Sequence, residues 1–416
     1  MINTTMKKTL FLLSAALMCL MVSCTNNDEG ANDVAGGNKG EYAPGNNKIY
    51  YTTTDGKKLF PTHSDGAVFN AILISNTYED GLGVLVFDDT ISWIGECAFE
   101  DCSRLESIYL PDSVTSIDYN AFKDCKSLSG VTLGNGVTKI DRAFINCTSI
   151  TSITIPDSVI SIGSYAFSGC SSLTSITIPD SVTSIGYNAF KDCKSLVSII
   201  IPDSVTSIGE CAFRQCISLE SVTIGNSITS IESCTFESCS SLVNINIPDG
   251  VTLIGFAAFS GCSSLASITI PDSVASIRNC AFSDCSSLTS ITIPDSVTLI
   301  DYRAFYGCSS LASITFGNNV ASIDSNAFED CSGLTNITIP DSVSYIGSWA
   351  FSGCSSLAEV YCKPTTPPAI ESGVYWGAFP STASDLMIYV PRESVMAYKR
   401  AEGWDGYADA IVGCDF

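Results

Sequence analysis

Apolar and polar side chains recur along this chain in a pattern that returns every 23 residues. One copy runs from Ser171 to Cys193, SSLTSITIPDSVTSIGYNAFKDC, with Ser, Thr and Gly between its apolar positions. Ile176 and Ile178 are separated by Thr177, an alternation that predicts a short strand with one buried face. The outward face of that strand is expected to be polar.

The rest of each copy predicts a turn and a return segment. Pro179 has no N–H to donate to a ladder and Asp180 can bond nearby backbone, so the strand is expected to end there. A short extended piece follows. The spacing of Ala189, Phe190 and Cys193 then fits about one helical turn on the opposite side. Each copy is therefore predicted to form one coil.

The cysteine that closes the pattern recurs twelve times, 23 residues apart except for one step of 22. These residues are Cys102, Cys125, Cys147, Cys170, Cys193, Cys216, Cys239, Cys262, Cys285, Cys308, Cys331 and Cys354. A fixed period of this length is the signature of a solenoid, whose coils are stable only when stacked. The residue missing from the short step lies between Ile140 and Ala143.

The pattern L-x-x-I-x-I-P-x-x-V-x-x-I-G-x-x-A-F-x-x-C resembles the BspA-like class of bacterial leucine-rich repeats, over roughly residues 84–390. The resemblance implies a repeat solenoid: a curved, right-handed coil stack of the leucine-rich-repeat type. Short parallel strands would lie on its concave side and short helical turns on its convex side. It also implies a cell-surface protein that adheres to host proteins, matrix or other microbes. It transfers no ligand residue to this chain.

Five regions are predicted. They are a signal peptide (1–23), a lipidated disordered tether (24–47), an N-terminal β cap (48–83), twelve 23-residue leucine-rich repeats (84–358), and irregular last coils with a helical C-terminal cap (359–416). Within the first cap, Asp55-Gly56 predicts a hairpin turn, and residues 67–75 predict a further strand. Ser394 is expected to cap a helix that ends at Arg400.

The N-terminus predicts export. Two lysines precede an apolar run, Leu10–Val22, which is too short for a permanent membrane span and typical of a signal peptide. The run ends just before Cys24 and resembles a bacterial lipobox, which implies lipidation of Cys24. The alternative is an ordinary secretory signal with an incidental cysteine. Asp28 and Glu29 resemble acidic surface-export signals of Gram-negative lipoproteins, which implies a surface-exposed protein anchored in the outer membrane.

The net charge and the scarcity of candidate catalytic side chains exclude several classes of function. The chain has 20 basic and 43 acidic residues, a net charge of −23, which argues against nucleic acid and against charge-driven docking on anionic lipid. Membrane contact is therefore expected only through the lipid anchor. The single histidine, His63, lies outside the repeats and is interpreted as a surface residue in preference to a catalyst. The sequence predicts no catalytic residue, metal or cofactor.

Two positions of the repeat, the Asp or Asn position and the cysteine position, each have two interpretations. The Asp or Asn after each first strand, such as Asp180, predicts a turn-capping role in preference to a calcium site. The repeated cysteines are interpreted as buried free thiols. A disulfide between the neighbouring positions Cys211 and Cys234 is the alternative for that pair.

The outward strand positions are the predicted binding site for a protein or glycan ligand. One column contains Tyr109, Thr132, Thr154, Thr177, Ile200, Thr223, Asn246, Thr269, Thr292, Thr315, Thr338 and Tyr361. Its exceptions to the threonine rule are expected to mark contacts, because aromatic and amide groups recognise ligands better than threonine does. Adhesion through this face competes with a passive surface spacer and with ice binding by a Ser-x-Thr array.

Overall fold

The computed structural model describes residues 45–61, 68–371 and 377–416. The signal peptide, Cys24, nearly all of the predicted tether and His63 lie outside these residues. Within them, no helix is long and apolar enough to cross a membrane. We number the coils 1 to 12 by the twelve repeated cysteines, so coil 1 ends at Cys102 and coil 12 at Cys354.

Each coil contains two strands. The first strands are Leu82–Phe87, Leu105–Tyr109, Gly130–Thr132, Ser152–Thr154, Ser175–Thr177, Ser198–Ile201, Ser221–Ile224, Asn244–Asn246, Ser267–Thr269, Ser290–Thr292, Ser313–Thr315 and Asn336–Ile339, followed by Glu359–Cys362. The second strands are Trp93–Ile94, Ser116–Ile117, Lys139–Ile140, Ser161–Ile162, Ser184–Ile185, Ser207–Ile208, Ser230–Ile231, Leu253–Ile254, Ser276–Ile277, Leu299–Ile300, Ser322–Ile323 and Tyr345–Ile346, followed by Ala369–Ile370. The second strand is the short extended piece predicted from the sequence.

Equivalent residues of neighbouring coils lie in parallel register. Ile176 pairs with Ile153 in the first strands, and Ile185 pairs with Ile162 in the second strands. Ile176, Ile185 and the leucine that precedes most first strands, such as Leu173, are buried in one continuous core. The predicted solenoid of stacked coils with parallel strands is confirmed.

The return segment is a run of tight turns. The Cys193 N–H donates to the Phe190 carbonyl within the coil (3.1 Å), whereas the Phe190 N–H donates to the Ala212 carbonyl of the next coil (2.8 Å). Asn188 and Asp192 have positive φ angles of 54° and 61°, which a continuous helix does not contain. The turn side therefore stabilises each coil and also ties it to its neighbour.

A column of phenylalanines runs along the turn side. From Phe99 to Phe379, adjacent rings stack with centroids 5.2 to 5.6 Å apart. Parallel strands are about 4.8 Å apart. Because the spacing is wider on the phenylalanine side, the stack bends and its strands lie on the concave side.

The N-terminal cap differs from its predicted pairing. Its strands are β1 (Lys48–Thr53) and β2 (Leu73–Glu79), and they share a sheet with β3 (Leu82–Phe87), the first strand of coil 1. The predicted hairpin at Asp55-Gly56 is wrong, because β1 pairs antiparallel with β3 and with Leu105–Tyr109. β1 therefore lies between the first strands of coils 1 and 2.

The hairpin of this cap joins β2 and β3 through Asp80-Gly81, whose φ angles are 50° and 85°. Residues 56–61, the described part of the segment after Asp55, form no strand. Its Phe60 is 72% exposed, and Pro61 has no N–H for a ladder. The strand predicted within residues 67–75 begins only at Leu73 and continues into the hairpin.

The C-terminal cap continues the first-strand sheet. Met387–Pro391 pairs with Glu359–Cys362, and Ile411–Cys414, which was not predicted, adds a further parallel strand. Between them lie two 3₁₀ helices, Arg392–Ser394 and Asp405–Tyr407, and one α-helix, Val395–Tyr398. The cap helix exists but is only one turn long, so its predicted end at Arg400 is wrong.

Polar atoms of this cap satisfy the proline-rich segment 363–368. The Ser394 hydroxyl makes no helix cap and donates to the Thr365 carbonyl (2.7 Å). The buried Tyr398 hydroxyl donates to the Pro364 carbonyl (2.7 Å). Buried Trp404 likewise donates to Pro368 through its indole N–H (2.8 Å). The cap thus supplies donors where the repeat pattern stops.

Candidate binding face

The outward positions of the first strands form a polar face. In coil 5, Ser175 and Thr177 are exposed while Ile176 between them is buried. We call the twelve predicted residues from Tyr109 to Tyr361 the threonine column. Pairs such as Thr154 with Thr177 and Thr292 with Thr315 lie directly opposite each other on adjacent strands. The structure therefore brings the predicted residues into one row.

The threonine hydroxyls of this column differ from other repeated hydroxyls in their hydrogen-bond partners. The Thr174 hydroxyl donates to the Thr151 carbonyl of the preceding coil (3.0 Å), and the Ser181 hydroxyl donates to the Val159 carbonyl (2.7 Å). Among the residues that the structure describes, no side-chain hydroxyl of a threonine in the column bonds to a protein atom. These hydroxyls remain available to a ligand as donors and acceptors.

A tyrosine lies at each end of the threonine column. Tyr109 meets Tyr50 of β1 edge to face, with ring centroids 6.4 Å apart, and burial raises the pKa of the Tyr109 hydroxyl. Tyr361 stacks on Tyr389 at 4.8 Å. Its hydroxyl donates to Glu359 (3.0 Å), a bond that raises the pKa of Tyr361. Tyr50 and Tyr389 were not predicted, because both lie outside the repeat.

The middle of the column has one apolar interruption. Ile200 is 68% exposed, and Val197 in the same coil is 43% exposed. Thr223 pairs with Ile200 on the adjacent strand, so the isoleucine is bordered by hydroxyls. Asn246, two coils beyond Ile200, is exposed as well. These two exceptions to the threonine rule both face solvent, where a ligand can reach them.

Three of the aspartates that follow the first strands, Asp112, Asp203 and Asp295, accept from a backbone N–H of the next coil. Asp203 Oδ1 accepts from the Asn226 N–H of the next coil (2.7 Å), and Asp295 Oδ1 accepts from Asn318 in the same way (2.7 Å). The glycine before Asn226 is required, because a Cβ on Gly225 would come within 2.5 Å of the Pro202 carbonyl oxygen. At these three positions the aspartate has a structural role between coils, and for the other coils turn capping stays a prediction. In the described ranges, no group of three or more His, Cys, Asp or Glu residues could hold a metal ion.

The repeated thiols also bond between coils. The Cys193 thiol donates to the Phe167 carbonyl of the preceding coil (3.3 Å), and Cys170 bonds to Phe144 likewise (3.1 Å). Burial raises the pKa of Cys170 to about 12. Such thiols are packed and unreactive, and they leave the strands as the accessible polar face.

Comparisons with known proteins agree with this architecture. A family model described as BspA type leucine-rich repeat region matches residues 78–196, 141–266 and 252–376, with six copies. None of the curated proteins compared with the chain matches it significantly.

Three solved structures illustrate the similarity. A leucine-rich repeat protein from Bacteroides ovatus is 25% identical, with 82% of this chain and 90% of that chain covered and a TM-score of 0.47. A leucine rich cell surface protein from Faecalibacterium prausnitzii is 28% identical, with 81% and 84% covered and a TM-score of 0.43. The pneumococcal vaccine antigen PcpA is 20% identical, with 79% and 85% covered and a TM-score of 0.46.

Proposed function

Because this chain belongs to the family of BspA-type leucine-rich repeat proteins, we propose that it is a non-enzymatic cell-surface adhesin. Its ligand is a protein or glycan on a host or microbial surface, bound through the concave strand face. The observation that carries this proposal is the threonine column, because within the described residues the hydroxyls of its threonines bond to no protein atom.

The dimensions of the face suit a macromolecular ligand. Twelve strands about 4.8 Å apart give a row on the order of 50 Å long, which is enough for a standard protein interface. All twelve positions of the column are uncharged, although the chain has a net charge of −23. An acidic partner therefore meets less repulsion on the strands than elsewhere on the protein.

The proposal includes a lipid anchor at Cys24 that places the solenoid on the outside of the outer membrane. Acylation of one cysteine with several chains gives durable attachment without a membrane-spanning helix. The variant Cys24→Ala is expected to lose incorporation of radiolabelled palmitate and to leave the membrane fraction. Membrane attachment that persists in this variant would show that another anchor exists.

The adhesive face is tested by adding charge and bulk to it. Cells displaying the chain are incubated with immobilised matrix proteins, mucin glycans and other bacterial species. The triple variant Thr177→Lys, Thr223→Lys and Thr269→Lys should reduce saturable binding at least tenfold. It should leave the fold intact, because surface substitutions usually cost within about 0.5 kcal/mol each.

The matched control adds the same charge to the other side. Ser260→Lys, Asn279→Lys and Ile217→Lys lie off the strands and should leave binding unchanged. Loss of binding in this control with retention in the strand variant would refute a concave adhesive face. Absence of saturable binding by the unaltered chain to every member of the panel would favour a passive spacer.

A further inference from the structure

Three tyrosines and one arginine form a row on the flank of coils 2 to 5, where the second strands lead into the turns. We call Tyr119, Arg142, Tyr165 and Tyr187 the flank row. The guanidinium carbon of Arg142 lies 5.1 Å from the ring centroid of Tyr119 and 5.4 Å from that of Tyr165. The rings of Tyr165 and Tyr187 meet edge to face at 5.3 Å. The row is therefore continuous across four coils.

The missing residue of coil 3 explains this arrangement. In coil 4 the Tyr165 N–H donates to the carbonyl of Tyr187, which lies two residues after the second strand of the next coil. In coil 2 the corresponding N–H, from Asn120, donates to the carbonyl of Arg142, because coil 3 lacks the residue that is equivalent to Tyr187. Arg142 adopts a φ of 52° and extends its side chain into the gap between rings of the adjacent coils.

Arg142 has no acidic partner in the part of the chain that the structure describes, although the chain is strongly acidic. Arg214 pairs with Glu237 and Arg392 pairs with Asp415. Within the described residues, the Arg142 guanidinium makes no ion pair and no hydrogen bond to protein. The neighbouring Asp141 carboxylate pairs instead with the Lys139 ammonium (2.8 Å). The N–H donors of Arg142 are therefore positioned by the two rings and still unoccupied.

The flank row is open to solvent. Arg142 is exposed, Tyr119 is 49% exposed and Tyr187 is 43% exposed. Side chains of this size, half exposed, offer on the order of 400 Å² in total. A stable protein interface needs about 800 Å² from each partner, so the row is too small for one. It matches a narrow, extended ligand that crosses several coils.

We propose that the flank row is a second binding site, for an acidic polysaccharide whose sugars carry carboxylates. The planar guanidinium fork of Arg142 binds a carboxylate through two parallel hydrogen bonds. The tyrosine faces pack against the apolar C–H faces of sugar rings, and their hydroxyls bond to sugar hydroxyls. This site uses no residue of the threonine column, so it stands independently of the adhesive strand face.

A similar cluster in coil 10 provides a control. Arg303 lies 5.2 Å from the ring centroid of Tyr302 and 4.9 Å from that of Tyr306. Both rings belong to the same coil, and the Arg303 Nε atom is buried without a partner. Arg303 thus shares the cation–π contacts of Arg142 but not its place in an exposed row of several coils.

The experiment measures calorimetric binding of polygalacturonate oligosaccharides to the purified full chain, with their methyl esters as uncharged counterparts. The acid form should bind, and more weakly at higher salt, while the ester should bind at least tenfold more weakly. Arg142→Gln should also lose at least tenfold in affinity without a change in unfolding midpoint. Arg303→Gln should bind as the unaltered chain does.

Some outcomes would overturn the proposal. One is that the unaltered chain binds no polygalacturonate, and another is that it binds the acid and the ester equally. A third is that Arg303→Gln loses as much affinity as Arg142→Gln. Binding of poly-glutamate with the same dependence on Arg142 would make the ligand an acidic peptide and also refute it. The triple lysine variant of the threonine column should retain polygalacturonate binding, so a failed strand face and a failed flank site give different results.

Discussion

The turn side and the strand face of this solenoid use similar small polar residues and treat them differently. On the turn side, the Cys193 thiol donates to Phe167, and the return segment alternates bonds within a coil with bonds to the next. Residues that lie between the two sides also bond to the preceding coil. The Thr183 hydroxyl, for example, donates to the Ile160 carbonyl (3.3 Å). On the strand face, the threonine hydroxyls of the column have no protein partner among the residues that the structure describes.

This difference shows that position within the coil decides what a repeated hydroxyl does. A hydroxyl beside a carbonyl of the preceding coil adds to stability. A hydroxyl that projects from the middle of a strand adds nothing to the fold, because it stays solvated in the folded and unfolded states. Residues can therefore vary along the threonine column with little cost to stability, as they do at Ile200 and Asn246.

Raising the pH should have the largest effect on stability, because it ionises the buried thiols of the turn side. Burial raises the pKa of Cys170, Cys262 and Cys308 from 9.0 to about 12. Because each folded-state pKa lies above the unfolded value, the stabilisation is complete below pH 9 and is lost as the pH rises toward 12. Each buried thiol then costs about 1.4 kcal/mol per pH unit. Circular dichroism melts should show a steep fall in Tm between pH 9 and pH 11.

The triple variant Cys170→Ala, Cys262→Ala and Cys308→Ala separates these thiols from other groups that titrate at high pH. Its loss of stability between pH 9 and pH 10 should be smaller by about 3 kcal/mol. Identical pH slopes for the variant and the unaltered chain would mean that the buried thiols do not contribute in this way.

The sequence predicted the periodic part of this molecule well. The alternation around Ile176 located the first strands, and Pro179 located the turn. Strand pairing outside the repeats was missed. β1 inserts antiparallel between the first strands of coils 1 and 2, which no local pattern reports because pairing between distant segments decides it.

The flank row was missed for a related reason. The short step near Arg142 is visible in the sequence, but its effect depends on which side chains border the gap in adjacent coils. The threonine column, in contrast, was predicted residue by residue, because side chains two apart on a strand share a face and stacking repeats that face. Its role in binding stays a prediction.

The smallest changes test the central claim most directly, because they remove only hydroxyls. One triple variant replaces column residues, Thr177→Val, Thr223→Val and Thr269→Val. The other replaces edge residues that bond to the preceding coil, Thr183→Val, Thr206→Val and Thr252→Val. Both variants are measured for unfolding free energy in urea and for cell-surface adhesion.

Opposite results are expected for the two variants. The column variant should keep its unfolding free energy within about 0.5 kcal/mol per site and lose adhesion, since its hydroxyls serve a ligand. The edge variant should lose about 1 kcal/mol at each of its three sites and keep adhesion. A column variant that is destabilised as much as the edge variant, or that adheres as strongly as the unaltered chain, would contradict the claim that this face is reserved for binding.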